Sequence, residues 1–77
     1  MVFACILVNC EAGKYKEVAA KLKKTKGVKK SFGVHGQWDA VAEIEAADLK
    51  QLGEIVLNIN GTAGVKATET LVGLQEG

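Results

Sequence analysis

Sliding the chain against itself brings a second copy of one pattern into register 37 residues along, where Gly27-Val28-Lys29 falls on Gly64-Val65-Lys66. In the same register Glu11 falls on Asp48, and Tyr15, Val18, Ala19 and Leu22 fall on Leu52, Ile55, Val56 and Ile59. Each set of four has the i, i+3, i+4, i+7 spacing of one helix face. Apolar segments that read as strands flank both helices, so each half is a β-α-β unit. Two such units in one short chain predict a ferredoxin-like α+β sandwich of order βαββαβ. Its four-stranded antiparallel sheet carries two helices on one face. Residues 1–77 form one domain.

The strands are expected at Val2 to Val8, Val28 to Val34, Asp39 to Ala46 and Val65 to Leu74. The first helix runs from about Lys14 to Lys24, with lysines at its C-terminal end complementing the dipole and Gly27 just beyond it as a stop. Asp48 caps the second helix, with Gln51 three residues on in a capping-box-like pair, and that helix ends near Ile59. Gly36-Gln37-Trp38 turns the middle hairpin, and residues 60–64 form the last connection.

At this size folding buries only about 60% of the unfolded chain's surface, which leaves a lone monomer marginal and makes oligomerisation an expectation. Hydrophobic residues make up 48% and charged residues 25%, a globular balance. No apolar run reaches the roughly 18 residues of a membrane span, and Met1 to Cys10 lacks the basic start and the length of a secretory signal. A cytoplasmic protein without membrane contact is expected. Cys5 and Cys10 are five apart on one strand and so point to opposite faces, which disfavours a shared metal or a mutual disulfide. No cofactor is implied.

Eight of the ten basic residues lie between Lys14 and Lys30, yet all are lysine. Without arginine there is no bidentate fork to read guanine or grip phosphate, so the run is read as a solvated helix face. Direct nucleic-acid binding is not expected.

Strand one is apolar on both faces, since Phe3, Cys5 and Leu7 alternate with Val2, Ala4, Ile6 and Val8. Two helices cover only one face of a single sheet, and the other is then a partner surface. Val2, Ala4, Ile6 and Val8 are assigned to that surface, in a self-symmetric homodimer or an assembly of dimers. On strand three the outer face carries Val41, Glu43 and Glu45, which limits how dry that surface is.

The segments Val34-His35-Gly36-Gln37-Trp38-Asp39 and Gly64-Val65-Lys66-Ala67-Thr68-Glu69-Thr70 resemble two motifs of the effector-binding domain of Lrp/AsnC transcription regulators. These are its Gly-x-aromatic-Asp hairpin and its Pro-Gly-Val-x-x-Thr-x-Thr segment. The likeness covers nearly the whole chain, in a stand-alone form without the family's helix-turn-helix. Trp38 stands where Tyr or Phe is usual, and Ala63 where Pro is usual. The resemblance implies an oligomeric sensor that binds an amino acid or similar effector at subunit interfaces and acts in transcription regulation. Full-length relatives are further candidate partners.

An α-amino acid needs an anion for its ammonium, donors for its carboxylate and an apolar slot for its side chain. Asp39 is the candidate anion, the amides of the loop Gly61-Thr62-Ala63-Gly64 the candidate donors, and Trp38 the wall, with hydroxyls from Thr68 and Thr70. Gly36 allows close backbone approach at the hairpin. Each residue also has an ordinary role: Asp39 and Gly36 in turn geometry, Trp38 in an interface or core, and the threonines as strand formers. His35 has no second ligand at metal spacing. Asn60-Gly61-Thr62 matches a glycosylation sequon but is read as loop chemistry.

An enzyme is not expected, because no paired acid and base, P-loop or dinucleotide motif is present. Cys5 and Cys10 do not form the Cys-x-x-Cys loop of a copper chaperone. Strands one and three offer only Phe3 for stacking on RNA bases. The rival reading is a structural module that assembles with full-length regulators and needs no ligand.

Overall fold

A computed structural model describes residues 1–73. The elements β1 (Val2–Cys10), α1 (Tyr15–Lys23), β2 (Val28–Gly33), β3 (Ala40–Ala46), α2 (Leu49–Asn60) and β4 (Val65–Val72) follow in the order the repeat predicts. The strands form one antiparallel sheet in the order β2-β3-β1-β4, so β1 lies inside, between β3 and β4. β1 runs two residues past its expected end, and Leu74, the expected end of β4, lies outside the described residues.

The N-terminus of α2 is closed as its sequence demands. Asp48 Oδ1 accepts from the Gln51 amide at 2.8 Å, and Gln51 Oε1 accepts from the Ala47 amide at 2.6 Å. Val18 and Leu22 of α1, and Leu52, Ile55 and Ile59 of α2, are buried against one sheet face. Tyr15, which the periodicity places in the same stripe, is 45% exposed because α1 begins there, at the margin of the sheet.

The sheet face beneath the helices corrects the interface expected from the sequence. Ile6 and Val8 are fully buried and Ala4 is 6% exposed, while Val2 packs against the core. The reason lies in register. Val2, Ala4, Ile6 and Val8 stand opposite Ala46, Ile44, Ala42 and Ala40, so all eight form one apolar surface for the helices. Phe3, Cys5 and Leu7 stand opposite Glu45, Glu43 and Val41 and form the open face instead.

The internal repeat survives down to single hydrogen bonds. The Thr25 hydroxyl donates to the Lys21 carbonyl at 3.2 Å, and 37 residues on the Thr62 hydroxyl donates to the Asn58 carbonyl at 3.0 Å. Amide bonds from Thr25 to Leu22 and from Val28 to Thr25 recur as Thr62 to Ile59 and Val65 to Thr62. Gly27 and Gly64 both take positive φ, 93° and 95°. Each backs onto the other half's helix: a Cβ on Gly27 would collide with Ile55, and one on Gly64 with Val18 at 2.9 Å. Val18 and Ile55 are themselves equivalents in the repeat, so the two halves interlock about a pseudo-two-fold axis.

Candidate functional site

The C-terminal end of β1 brings the two family-like segments to one end of the sheet. β3 begins beside it on one flank and β4 on the other, where Cys10 stands opposite Val65. With strands spaced about 4.8 Å, the hairpin and the Gly64 loop lie roughly 10 Å apart across β1.

Asp39 is held by three bonds. Its amide donates to the Val8 carbonyl at 2.9 Å, its carbonyl accepts from the Val34 amide at 2.9 Å, and Oδ2 accepts from the Cys10 amide at 2.8 Å. Register pairing between β1 and β3 stops at Val8 and Ala40, and the carboxylate satisfies an amide beyond it. Asp39 therefore has a structural role, with Oδ2 committed to Cys10. Trp38, just before it, is half-buried, and Gly36 turns the hairpin at φ 121°, a conformation that favours glycine.

Across β1, the amides of Gly61 and Thr62 close the end of α2 by donating to Leu57 and Ile59 at 3.0 Å each. Among the described residues the Ala63 and Gly64 amides find no acceptor, so these two are the donors left in the loop. Thr68 and Thr70 stand opposite Val8 and Ile6 and therefore project on the helix-covered face. The Thr68 hydroxyl donates to Asn60 Oδ1 at 2.6 Å, which ties β4 to the end of α2. The structure thus brings Trp38, Asp39 and the Gly64 loop to one sheet end, and sets Thr68 and Thr70 under the helical layer.

Two clefts lie elsewhere, and the sequence pattern pointed to neither. The larger, about 630 Å³, is on the open sheet face between Phe3, Cys5 and Leu71, with Glu43 and Lys30 at its side. Phe3 is 45% exposed and Leu71 50%. The Lys29 ammonium meets Glu45 at 2.6 Å at the same margin, and that hydrogen bond with its charge attraction raises the lysine's pKa. The alternation of β4 against β1 would have found this face, since Leu71 falls opposite Cys5 once the register is known. The second cleft lies between α1 and β2.

Both thiols are free. Burial pushes the Cys10 thiol up from its ordinary value, and the Asp39 carboxylate adds to the effect. A thiol with a raised folded pKa contributes stability in full below its unfolded value, about 8.5, and loses that contribution as pH rises toward the folded one. The melting temperature should fall over that range more steeply in the native protein than in Cys10→Ala. Parallel pH profiles for the two proteins would assign the decline to other groups.

The fold is an α+β domain with one sheet face covered by its helices and one open. The chain belongs to the Lrp/AsnC ligand binding domain family, whose profile matches residues 3–76. It is 31% identical over 74 residues to the HTH-type transcriptional regulator FL11 of Pyrococcus furiosus, covering 96% of this chain and 49% of that one. It is 34% identical over 74 residues to a homocitrate synthase of Sulfurisphaera tokodaii, covering 95% of this chain and 16% of the enzyme. The chain thus spans about half the length of the regulator and a small part of the enzyme. A hypothetical protein from Pyrococcus horikoshii superposes with TM-score 0.90 at 32% identity, covering 99% of this chain and 93% of that one. The fold is shared with a transcriptional regulator from Neisseria meningitidis solved in complex with L-Met. That match has TM-score 0.83 and 24% identity, covering 97% of this chain and 51% of that one. Among the described residues no helix is long and apolar enough to cross a membrane.

Proposed function

We propose that this domain senses a free amino acid in the cytoplasm and transmits its presence through assembly with other copies, as the effector module of a transcription-regulatory system. The observation that carries this reading is the convergence of Trp38, Asp39 and the Ala63–Gly64 amides at one end of the sheet in a family of ligand-binding domains. The Asp39 carboxylate faces the ammonium, the two amides face the carboxylate, and Trp38 walls the side chain. In one protomer neither cleft described above encloses this end of the sheet, and in this reading a second copy completes it. The L-Met complex of the Neisseria regulator supports an amino acid as the ligand class. The homocitrate synthase match supports a portable sensor, since a related segment occurs within an enzyme.

The open sheet face supplies the dimer contact. Phe3, Cys5, Leu7 and Leu71 form its apolar centre, and Lys29 and Glu45 its charged margin. A face of this kind on a chain too small to bury much of its own surface is suited to a second copy.

The decisive variant is Asp39→Asn, which keeps an oxygen for the Cys10 amide and removes the charge. Its melting temperature should stay close to that of the native protein, while amino-acid affinity falls by about one to two decades. Trp38, the only tryptophan, reports binding by fluorescence as each of the standard amino acids is titrated. Undiminished affinity in Asp39→Asn would remove the ammonium contact. A native protein that answers to none of the amino acids at millimolar concentration would leave the ligand-free assembly module as the better account.

A further inference from the structure

The groove between α1 and the edge strand β2 contains a polar atom with nothing to bond. Ser31 is 3% exposed, and its hydroxyl is buried without a hydrogen-bond partner, the one such side-chain atom among the described residues. Buried hydroxyls are nearly always paired, so an unpaired one calls for an explanation. Ser31 lines a cleft of about 290 Å³ together with Tyr15, Lys16, Ala19, Ala20 and Lys23. Gly33 belongs to the same wall, and the Tyr15 ring lies over it, 3.3 Å from where a Cβ would stand.

The internal repeat supplies a built-in comparison. Thirty-seven residues on, Ser31 corresponds to Thr68, Lys23 to Asn60, Ala19 to Val56, Ala20 to Leu57 and Gly33 to Thr70. In the second half the strand hydroxyl is satisfied, because Thr68 donates to Asn60 Oδ1 at 2.6 Å. In the first half the equivalent helix position is a lysine that leaves Ser31 unbonded, and Ala19, Ala20 and Gly33 are smaller than their equivalents, while Tyr15 and Lys16 are larger than Leu52 and Gly53. The strand hydroxyl is thus paired in one half and unpaired in the other. Lys16 and Lys23 stand seven residues apart on one face of α1, and neither has an acidic partner within 4.0 Å among the described residues.

We infer that the α1/β2 groove is a binding site for a small organic carboxylate, distinct from the sheet-end site proposed above. The carboxylate lies between Lys16 and Lys23, the Ser31 hydroxyl bonds a carboxylate or hydroxyl oxygen, and the Tyr15 ring with Ala19 covers an apolar body. Lysine ammonium groups act as point charges on such an anion. The volume suits a molecule of amino-acid size, at the lower end of ligand cavities.

The test is a titration of the full chain with sodium butyrate and sodium 2-oxoglutarate, each to about 10 mM, which saturates a site whose dissociation constant is near 1 mM. Amide NMR shifts are followed, with sodium phosphate as control. Saturable shifts confined to α1 and to Ser31, Phe32 and Gly33 are expected for at least one carboxylate. Lys23→Asn places at that position the residue that satisfies the strand hydroxyl in the second half. It should raise the melting temperature and weaken binding by about tenfold or more. Ser31→Ala should do likewise, since it removes an unpaired polar group. Shifts from neither carboxylate, equal shifts from phosphate, or undiminished binding in Lys23→Asn and Ser31→Ala would each overturn the proposal. Because the readout is local to α1 and β2, it is independent of whether an amino acid binds beside Trp38.

Discussion

Leu71→Lys is expected to turn the proposed dimer into a folded monomer, whereas Ile6→Lys is expected to leave no folded protein. Leu71 is 50% exposed in the single chain and lies on an edge strand, where a lysine is well tolerated and changes stability by only about 0.5 kcal/mol. Against a second sheet the same lysine carries an unpaired charge into an apolar contact, which costs several kcal/mol and separates the subunits. Ile6 is fully buried between the sheet and the helices in every assembly state. A charge there costs several kcal/mol too, but draws on a domain stability of only about 5 to 10 kcal/mol. Sedimentation velocity and circular dichroism on both variants decide the matter. Leu71→Lys sedimenting as a dimer would exclude the open face as the contact, and a folded Ile6→Lys would contradict the core.

The second large effect is expected at Gly27. Alanine there must hold a φ of 93°, at about 1 to 2 kcal/mol, and must also displace the Ile55 side chain, an overpacking of about 1 to 3 kcal/mol. Gly27→Ala should therefore lower stability by about 2 to 5 kcal/mol, read from chemical denaturation. Trimming the obstruction with Ile55→Val should recover part of this in the double variant, beyond what the separate effects sum to. Gly13 also has positive φ, 78°, but faces open space, so Gly13→Ala should cost only the backbone part. Equal losses at Gly13 and Gly27 would show that the contact with Ile55 carries no weight.

The sequence made the architecture legible because the repeat constrains both halves at once. A helix face seen in Val18 and Leu22 is seen again in Ile55 and Ile59, and Asp48 with Gln51 announces where α2 begins. The faces of β1 were a different matter. Phe3, Cys5 and Leu7 are as apolar as Ala4, Ile6 and Val8, and alternation separates two sets without saying which one the helices cover. The pairing with β3 breaks the tie, since Glu43 and Glu45 cannot lie under the helices while Ala42 and Ile44 can.

Of the candidate site, the hairpin and the glycine loop were visible as motifs, and the structure sets them at one end of β1. The positions of the threonines were not visible, because a strand residue's face depends on register with a partner far along the chain. Whether an amide is free is likewise a property of the folded helix end, which engages Gly61 and Thr62 and leaves Ala63 and Gly64. The Ser31 groove lay below the reach of pattern altogether, since whether a strand hydroxyl finds a partner is a property of the folded chain.

The crossed packing of Gly27 on Ile55 and Gly64 on Val18 also bears on how the chain reaches this state. The turn that closes each half is seated by the other half's helix. β1 pairs with β3 and β4 but not with β2, its nearest strand in sequence. A nascent first half therefore has neither of its strands joined to the other, and gains a sheet only when residues past 40 arrive. Folding of such a chain is expected to be cooperative and governed by closure of the long connections between paired strands. A duplicated unit has in this way become one that is indivisible.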